Sequence, residues 1–372
     1  MVRWRRTSAL PRGLSQSARV YLRPAGLLSG DAAEAAIESG AARRLCGGRF
    51  AFSVCEALIR EAGTVSATIA GIDALADWEG AAAAMLGRLS TPRAPFCGIA
   101  MDRPAIMGVI NVTPDSFSDG GDNADAETAI AHGRALAAAG AAILDVGGES
   151  TRPGSDAVDA ETELARVLPV IEGLADAGVP VSIDSRRASV MAAALDAGAA
   201  IVNDISALTL DGESLGVVAD SGVPVVLMHT QGDPKTMQVE PVYDCAPLDV
   251  YDYLEERIDA CLAAGIERGR IAIDPGIGFG KSPTGHNIEI LQRLGLFHGL
   301  GCPLLLGVSR KSFIGRLAGV EAPKDRLPGS LAAGLAGLDQ GVQILRVHDV
   351  AETMQALAVW DAMTAPMANM QE

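Results

Sequence analysis

The stretch VSIDSRRASVMAAALDAGAAIVND, residues 181–204, decides the fold because it contains one full repeat of the pattern that fills the second part of the chain. Two short apolar runs, Val181–Ile183 and Ala200–Val202, flank an alanine-rich segment that is typical of an amphipathic helix. Short β-branched runs that alternate with such segments predict βα units and a parallel sheet. Polar residues, Asp184 and Asn203, directly follow the two runs, and this arrangement also recurs.

Eight runs of this kind occur from residue 101 onward. Eight βα units in about 270 residues match the size of a (β/α)8 barrel, so we expect an α/β protein whose residues 101–372 form a TIM barrel. A doubly wound open sheet is the alternative, but no G-x-G-x-x-G motif follows the first predicted strand. The predicted strands are Ile106–Ile110, Ile143–Val146, Val181–Ile183, Ala200–Val202, Val223–Met228, Ile271–Ile273, Leu304–Val308 and Gln343–Val347.

Residues 1–23 form an arginine-rich N-terminal segment. They hold six arginines and no acidic residue. We expect this segment to be disordered. Its composition is also typical of a mitochondrial or plastid transit peptide, which is the alternative.

Residues 24–97 are expected to form a small domain that is either α/β or mostly helical, and the sequence indicates no role for it. Helices are predicted over Asp31–Leu45 and through the alanines at 81–84. Phe50–Arg60 and Val65–Leu75 suit either a strand or a helix.

The charge distribution favours a domain boundary near residue 97. The first 100 residues carry 12 basic and 8 acidic side chains, so the rest of the chain has a net charge of −20 within a total of −16. The run Ser90–Pro95 is rich in helix breakers and predicts a linker. We therefore expect that residues 1–97 can be removed without loss of the chemistry, unless folding or dimer formation requires them.

Composition excludes several classes of protein. The net charge of −16 argues against nucleic acid as a partner, because a phosphate backbone requires a basic surface. No run approaches roughly 18 apolar residues without a charge or a glycine, so no transmembrane helix is predicted. Six cysteines without a C-x-x-C pair indicate neither a zinc site nor a disulfide framework. Free thiols fit the reducing cytosol, and we expect a cytoplasmic protein whose partners are small molecules.

A polar or charged side chain follows each of the eight predicted strands. In a (β/α)8 barrel the active site is built at the C-terminal ends of the strands, so these side chains are expected to converge on one mouth. One polar residue after a strand is ordinary in a turn or a helix cap, but eight in succession indicate a site. These residues are Asn111, Asp145, Asp184, Asn203–Asp204, His229, Asp274, Ser309–Lys311, and Arg346 with His348.

Two kinds of chemistry are combined at these positions. Asp184, Asn203 and Asp274 offer acceptors and an amide, which suit an uncharged, nitrogen-rich heterocycle with several N–H donors. Positive side chains in a domain of net charge −20 predict a di- or triphosphate, bound with Mg²⁺. Ion pairs between Arg346 or Lys311 and the aspartates are the alternative. The positive side chains are Arg152, Arg310, Lys311, Arg346 and His348.

Two long loops have the composition of lids. The loop NVTPDSFSDGG at residues 111–121 follows the first predicted strand, and GGESTRPG at residues 147–154 follows the second. Both combine hydrogen-bonding groups with proline and glycine. After the seventh strand, SRKS at residues 309–312 opens a predicted helix whose N-terminus suits a carboxylate or a phosphate.

Eight sequence blocks resemble those of dihydropteroate synthases, in the same order and at spacings compatible with that family. They extend over about residues 101–360, and eight ordered blocks are specific where a single one would not be. The blocks are NVTPDSFSDGG (111–121), GGESTRPG (147–154), SIDS (182–185), ND (203–204), MH-x-QG (228–232), DPGIGFGK (274–281), SRKS (309–312) and RVHD (346–349).

The resemblance implies a reaction and a role for individual residues. The family condenses 7,8-dihydropterin-6-ylmethyl diphosphate with p-aminobenzoate, giving 7,8-dihydropteroate and pyrophosphate in folate biosynthesis, and sulfonamides target it. The implied pterin ligands are Asp184, Asn203, Met228, Asp274 and Lys311. The implied diphosphate ligands are Asn111, Arg346 and His348, with Asn111 also near the cofactor Mg²⁺. The implied p-aminobenzoate pocket consists of Phe117, Thr151, Arg152, Pro153, Phe279 and Ser312.

The same resemblance implies a homodimeric transferase whose catalytic residues are Asp184, Asp274, Lys311, Arg346 and His348. Three other functions stay open from the sequence. A pterin-binding methyltransferase domain would share the carboxylate-rich pocket, and a Schiff-base aldolase would use Lys311. A catalytically silent paralogue would act through its N-terminal domain.

Overall fold

The structure, a computed structural model, describes most of the chain. Its described residues are 3–11, 13–78, 81–113, 122–150, 158–232 and 237–367. Every helix in these ranges is too short or too polar to serve as a bilayer span.

The N-terminal domain is a five-stranded sheet with short helices. Its strands are β1 (Arg3–Arg6), β2 (Arg19–Leu28), β3 (Arg43–Arg44), β4 (Ala51–Glu61) and β5 (Thr64–Gly71). Its helices are α1 (Gly30–Glu38), α2 (Ile72–Ala76) and α3 (Ala81–Ser90). The strand order is β1-β5-β4-β2, with β3 paired to β4; β1 is parallel to β5 and the other pairs are antiparallel. The domain therefore has the α/β form rather than the mostly helical one.

Parts of residues 1–23, the segment expected to be disordered, form strands in the structure. The segment Arg3–Arg6 forms a strand along β5, and β2 begins at Arg19, so a boundary between residues 23 and 24 falls inside a strand. Tyr21 and Leu22 of β2 are fully buried.

Two arginines of this segment, Arg19 and Arg23, have carboxylate partners that lie elsewhere in the sequence. Nη2 of Arg19 lies 3.0 Å from Asp252 Oδ1, and Nε of Arg23 lies 2.7 Å from Glu56 Oε2. When a segment's charges are neutralised only in the folded state, the segment considered alone has the composition of a disordered one. The partners are set by tertiary structure, which composition does not contain.

Two further predictions for the N-terminal domain concern the length of its first helix and two segments that suited either a strand or a helix. The helix predicted over Asp31–Leu45 ends at Glu38, since Gly40 adopts a left-handed conformation with φ of 75° and the chain then joins the sheet at β3. The two ambiguous segments are the strands β4 and β5.

The second domain consists of eight parallel strands that alternate with helices. The strands are β6 (Ala105–Asn111), β7 (Ile143–Gly147), β8 (Val181–Asp184), β9 (Ile201–Asp204), β10 (Val225–Met228), β11 (Ile271–Asp274), β12 (Leu305–Leu306) and β13 (Ile344–Val347). The helices are α4 (Asp122–Ala138), α5 (Ala160–Leu174), α6 (Ala188–Asp196), α7 (Ser214–Ser221), α8 (Ala246–Ala263), α9 (His286–Leu291), α10 (Ser312–Ala318), α11 (Leu327–Leu338) and α12 (Val350–Thr364). Short 3₁₀ segments occur at Arg268–Arg270, Leu294–Leu300 and Pro323–Arg326.

The eight strands close into a barrel, as predicted. Their order is β11-β10-β9-β8-β7-β6-β13-β12, and a parallel bridge between Ile273 and Leu304 joins the two ends. Ile273 N donates to Pro303 O at 2.9 Å across this seam. The predicted (β/α)8 fold is therefore confirmed, and the carboxyl ends of all eight strands face one mouth.

The opposite end of the barrel is plugged by apolar side chains. Residues 96–99 form a tight turn in which Phe96 and Ile99 exchange two backbone hydrogen bonds of 2.9 Å. The ring of Phe96 is fully buried, and with Met101 it packs against the first residues of the barrel strands. Since this end is closed and apolar, polar chemistry is confined to the mouth.

The N-terminal domain and the barrel share one hydrophobic core. The Tyr21 ring packs edge-on against Tyr251 of α8 with 5.2 Å between centroids, and Arg93 donates to His298 O at 2.8 Å. A single buried cluster runs from the N-terminal sheet to the 3₁₀ segment Leu294–Leu300. Removal of residues 1–97 would expose this apolar surface, so the structure argues against a freely removable N-terminal domain.

Candidate active site

The mouth of the barrel holds a cavity of about 280 Å³, the size of a small-molecule site. Its wall combines carboxylate, ammonium, guanidinium, imidazole and phenyl groups. The predicted site residues that line it are Asn111, Asp184, Phe279, Lys311, Ser312, Arg346 and His348.

A hydrogen-bonded network of three strands forms one side of the site. Asp145, fully buried in β7, accepts a hydrogen bond from Asn203 Nδ2 at 3.0 Å through its Oδ2 atom. The same oxygen accepts from Arg346 Nε at 2.6 Å. Asn203 and Arg346 come from β9 and β13, so this contact ties opposite parts of the barrel together.

Arg346 also reaches the predicted pterin carboxylate. Its Nη2 donates to Asp184 Oδ2 at 2.6 Å, so the ion pair considered as an alternative from the sequence is present in the structure. Burial raises the pKa of the Asp184 carboxyl to about 7, although the guanidinium of Arg346 opposes the shift. A buried carboxylate that is partly satisfied by one cation is well placed to accept N–H bonds from a ligand.

Asp274 and Lys311 form a second acid–base combination. Asp274 is 4 % exposed and accepts from Gly276 N at 2.7 Å; burial raises the pKa of its carboxyl, and the charge of Lys311 opposes this. Burial lowers the pKa of Lys311 to about 8, with Asp274 opposing. The Lys311 ammonium donates to Ile277 O and lies 4.7 Å from the centroid of the Phe279 ring.

Gly307 lies beside both Asp274 and Lys311. A Cβ atom at this position would lie 3.6 Å from Asp274 Oδ2 and 3.7 Å from Lys311 Nζ. Both distances are ordinary van der Waals contacts, so the backbone at Gly307 lies next to both charged groups. The chain therefore brings the acid and the base of two different strand ends to one point.

The cationic rim is oriented by neighbouring side chains. The His348 ring places Nδ1 3.0 Å from Ser309 Oγ, which also accepts from the His348 backbone N–H at 3.2 Å. Arg310 lines the cavity, but its guanidinium is paired with Asp349, with 3.0 Å between Nε and Oδ2. Two of the positive side chains predicted for an anion, Arg310 and Arg346, are therefore paired with carboxylates of the protein.

Not every predicted residue lies on the cavity wall. Asn203 and Asp274 are buried behind it in the contacts given above, and Met228 is 4 % exposed at the end of β10, where it pairs in register with Asp274. Four residues predicted for the p-aminobenzoate pocket lie outside the described residues, namely Phe117, Thr151, Arg152 and Pro153.

Two supporting carboxylates were not assigned a role from the sequence. Asp145 is predicted to reach the mouth, but its function of holding Arg346 depends on a contact between strands that are far apart in the sequence. Glu149 lines the cavity and accepts from Arg186 Nε and Nη2, both at 3.1 Å. Burial opposes ionisation of Glu149, yet the guanidinium of Arg186 holds the pKa of this carboxyl below its ordinary value. The neighbouring arginines 186 and 187 after β8 are the sequence signal for such a partner.

Lys281 supports the loop that carries Phe279. Its fully buried Nζ donates to Gly276 O and Phe279 O, both at 2.9 Å, and lies 2.8 Å from His229 Nδ1. Burial and the nearby Lys281 hold the pKa of His229 well below its ordinary value. His229, predicted to face the mouth, thus serves the packing of this loop.

The residues present fit a divalent cation that is brought in by the substrate. Within the described ranges, no group of three or more His, Cys, Asp or Glu side chains is arranged to hold a metal ion. Asn111 offers one amide oxygen on the cavity wall. Mg²⁺ commonly takes few protein ligands and completes its coordination with substrate phosphates and water.

The fold and the site together define a barrel enzyme whose mouth offers carboxylates and cations to a small molecule. Comparison with known proteins agrees with this class. The family described as pterin binding enzyme matches residues 107–348. A dihydropteroate synthase of Neisseria meningitidis serogroup B is 50 % identical over 272 residues, which cover 71 % of this chain and 94 % of the relative.

Solved structures are similar over the same part of the chain. Xanthomonas albilineans dihydropteroate synthase with 4-aminobenzoic acid is 50 % identical with a TM-score of 0.69, covering 74 % of this chain and 98 % of the other. A Yersinia pestis dihydropteroate synthase in a sulfonamide drug complex is 44 % identical with a TM-score of 0.67, covering 71 % and 96 %. The chain belongs to the pterin-binding enzymes and, within them, to the dihydropteroate synthase family. The predicted family and transferase function are thereby confirmed.

Proposed function

We propose that this chain joins 7,8-dihydropterin-6-ylmethyl diphosphate to p-aminobenzoate, releasing pyrophosphate, through the residues gathered at its barrel mouth. The observation that carries the proposal is the contact of Arg346 with both Asp145 and Asp184, beside Lys311 in the same cavity. This arrangement offers acceptors to a heterocycle and cations to its anionic substituent within one pocket.

The pterin is proposed to bind against the buried carboxylates. Asp184 and Asp274 accept hydrogen bonds from its ring N–H groups. The Asn203 amide, which both donates and accepts, matches the donor and acceptor pattern of the ring. Lys311 donates to a ring acceptor, and Met228 packs against the ring. Since these groups sit in a low-dielectric pocket, each charge-assisted bond is strong and its geometry selects the ring.

The diphosphate is proposed to bind at the rim through Arg346, His348 and Asn111. Arg346 can turn one edge of its guanidinium to the phosphate while Asp145 retains the other. Asn111 would also hold Mg²⁺, which supplies positive charge against the departing diphosphate.

The p-aminobenzoate is proposed to enter last, between Phe279 and Ser312. Its amino group is an aniline-type nitrogen and a poor nucleophile, so a dissociative substitution is favoured. The C–O bond to the diphosphate breaks first, and the electron-rich pterin stabilises the cationic methylene with help from the nearby carboxylates. The nitrogen lone pair then forms the new C–N bond, and the nitrogen proton passes to water or released pyrophosphate.

A turnover assay on the purified full-length chain tests the proposal. The chain should release pyrophosphate only when p-aminobenzoate and the pterin diphosphate are both present, and dihydropteroate should appear in equal amount. Methyl transfer to a corrinoid, or no turnover at all, would instead support the methyltransferase or the silent paralogue. Failure of borohydride to trap an adduct at Lys311 would count against the aldolase.

The assembly is proposed to be a homodimer. Val359 and Met363 lie one helical turn apart on α12 and are 59 % and 79 % exposed, an apolar pair suited to a second copy. Sedimentation should show a dimer that Val359→Glu with Met363→Glu converts to a monomer. A wild-type monomer would contradict this.

The protein is also proposed to work in the cytoplasm. All six cysteines are free, and five of them are buried. Unpaired thiols are maintained in a reducing compartment. Microscopy of a tagged chain in its own cells should show a cytoplasmic distribution.

A further inference from the structure

The N-terminal domain forms hydrogen bonds with two aspartates of helix α8. These aspartates lie three residues apart. Asp252 accepts from Tyr21 Oη at 2.9 Å and from Arg60 Nη1 at 3.0 Å. Asp249 accepts from the other arm of the same guanidinium, Arg60 Nη2. Arg60 therefore bridges the N-terminal sheet to two carboxylates on one helix face, and all three side chains are at least three-quarters buried. A partly buried, two-armed contact of this kind is more persistent than an isolated surface pair.

Asp249 also fixes the chain that leads into α8. Its second oxygen, Oδ2, accepts from the backbone N–H of Asp244 at 2.8 Å and of Cys245 at 2.9 Å. N–H groups at the start of a helix lack helical acceptors, so a side chain that satisfies them sets the direction in which the chain enters. The position of residues 237–245, the approach segment, is therefore linked to the position of the Asp249 carboxylate.

The approach segment in turn holds the loop that forms one wall of the cavity. We name residues 275–281 the β11 loop. Tyr243 Oη donates to Gly280 O at 2.7 Å, and Gln238 Nε2 donates to Gly278 O at 2.6 Å. Gly278 and its neighbour Phe279 line the cavity. Two side chains of the approach segment thus hold the backbone on both sides of Phe279.

The β11 loop has little freedom to adjust on its own. Gly276 approaches the preceding loop so closely that a Cβ atom would lie 1.9 Å from His229 O. A Cβ atom at Gly280 would lie 2.4 Å from Gln231 O. Because the two loops are in direct backbone contact, a shift of one must be accommodated by the other.

We propose that the N-terminal domain positions the substrate pocket, with Arg60 as a positioning residue that acts through Asp249, the approach segment and the β11 loop on Phe279. The proposal rests on the proposed function, since the wall it concerns is the p-aminobenzoate side of the pocket. It gives the N-terminal domain a role in the reaction without any contact between that domain and the substrates.

Steady-state kinetics of four variants test this role. Arg60→Met should raise the KM for p-aminobenzoate by about threefold to tenfold, with a smaller effect on kcat, because a loosened wall weakens binding of the second substrate. Asp249→Asn should act in the same direction, and the double variant should be no worse than the stronger single one. Arg60→Lys should recover part of the loss, since it keeps the charge.

Arg23→Met is the matched control. Arg23 lies in the same sheet, and its Nε donates to Glu56 Oε2 at 2.7 Å within the N-terminal domain. This variant removes an arginine ion pair but leaves α8 untouched, so its KM values should equal those of the wild type. Equal KM values for Arg60→Met and Arg23→Met would overturn the proposal.

Hydrogen–deuterium exchange separates this proposal from the proposed function. Arg60→Met should speed exchange in residues 237–245 and 275–281, whereas Arg23→Met should not. If the wild type makes no dihydropteroate, the proposed function fails while exchange still tests the coupling. Exchange that is unchanged in both segments would refute the coupling even in an active enzyme. If Arg60→Met does not fold, Asp249→Asn and Arg60→Lys carry the same two measurements.

Discussion

Arg346 and Asp184 form an ion pair across the barrel mouth, in which Nη2 donates to Oδ2 at 2.6 Å. The same guanidinium is anchored independently, since its Nε donates to Asp145 at 2.6 Å. Asp145 is fully buried and can hold Arg346 in the presence of a ligand. In the proposed complex Asp184 accepts hydrogen bonds from both the Arg346 guanidinium and the heterocycle. It therefore connects the pterin side of the proposed site with its diphosphate side.

Substitution of the pterin carboxylates tests that connection. Asp184→Asn and Asp274→Asn should each lower kcat/KM by about 10²-fold or more, because each removes a charge-assisted bond in a low-dielectric pocket. The rate of pyrophosphate release measures the effect. Asp176→Asn is the control, since Asp176 is 73 % exposed in an ion pair with Arg134 on the outer surface. Rates near the wild type for Asp184→Asn would refute the pterin assignment.

The hydroxyl at the start of α10 should act on one substrate only. Ser312 lines the cavity with Phe279 and is proposed to receive the carboxylate of p-aminobenzoate. Ser312→Ala should raise the KM for p-aminobenzoate about fivefold or more, the loss of one hydrogen bond to a charged group, and leave the KM for the pterin diphosphate nearly unchanged. Ser221→Ala, which removes a hydroxyl bound to Val218 O on α7, is the matched control. An equal rise in both KM values would contradict the assignment.

The barrel and its mouth could be predicted because they depend on local patterns. The alternation of β-branched runs and alanine-rich segments fixes the strands, and the polar residue after each run marks the mouth, as Asp184 and Asn203 do. Strand lengths were less predictable. The run Leu304–Val308 gives only the two-residue strand β12, with Leu304 in the isolated bridge to Ile273.

Contacts between distant segments could not be predicted in the same way. The bond of Arg346 to Asp145 joins β13 to β7 past the intervening strand β6, and nothing in either segment specifies the other. The partners of Arg19 and Arg23 likewise lie in other elements, so that a folded strand has the composition of a disordered tail. Composition reports how many charges exist, whereas pairing depends on where the fold places them.

Lys311 should give the reaction an alkaline limit. A lysine loses its positive charge as pH rises through its pKa, and burial lowers the pKa of Lys311 to about 8. If the charged form binds the pterin, kcat/KM should fall above about pH 8. On the acid side, burial raises the pKa of Asp184 to about 7, so protonation should lower kcat/KM below that value.

The variant Lys311→Arg assigns the alkaline limb. Arginine keeps its charge throughout the range, so the residual activity should lose the alkaline limb and keep the acidic one. A pH profile of kcat/KM for the pterin diphosphate measures both. Persistence of the alkaline limb in Lys311→Arg would assign it to another group.

Sulfonamides should compete with p-aminobenzoate in the proposed pocket. They resemble p-aminobenzoate in shape and charge distribution. Raising the p-aminobenzoate concentration should abolish inhibition, whereas raising the pterin diphosphate concentration should not. Inhibition that p-aminobenzoate cannot relieve would place the drug elsewhere.

Lys281 should stabilise the β11 loop without touching a substrate. Its buried ammonium satisfies the carbonyls of Gly276 and Phe279, and Lys281→Met would leave both without this donor. Each unsatisfied buried group costs about 1–3 kcal/mol, while removal of a buried amine, whose pKa burial holds well below its ordinary value, offsets part of the loss, so a net destabilisation of about 1–3 kcal/mol is expected. The urea midpoint of unfolding should fall and the KM for p-aminobenzoate should rise, since Phe279 loses its support. Lys324→Met, at an exposed lysine, should change neither quantity. If both variants behave alike, the ammonium of Lys281 does not hold the loop.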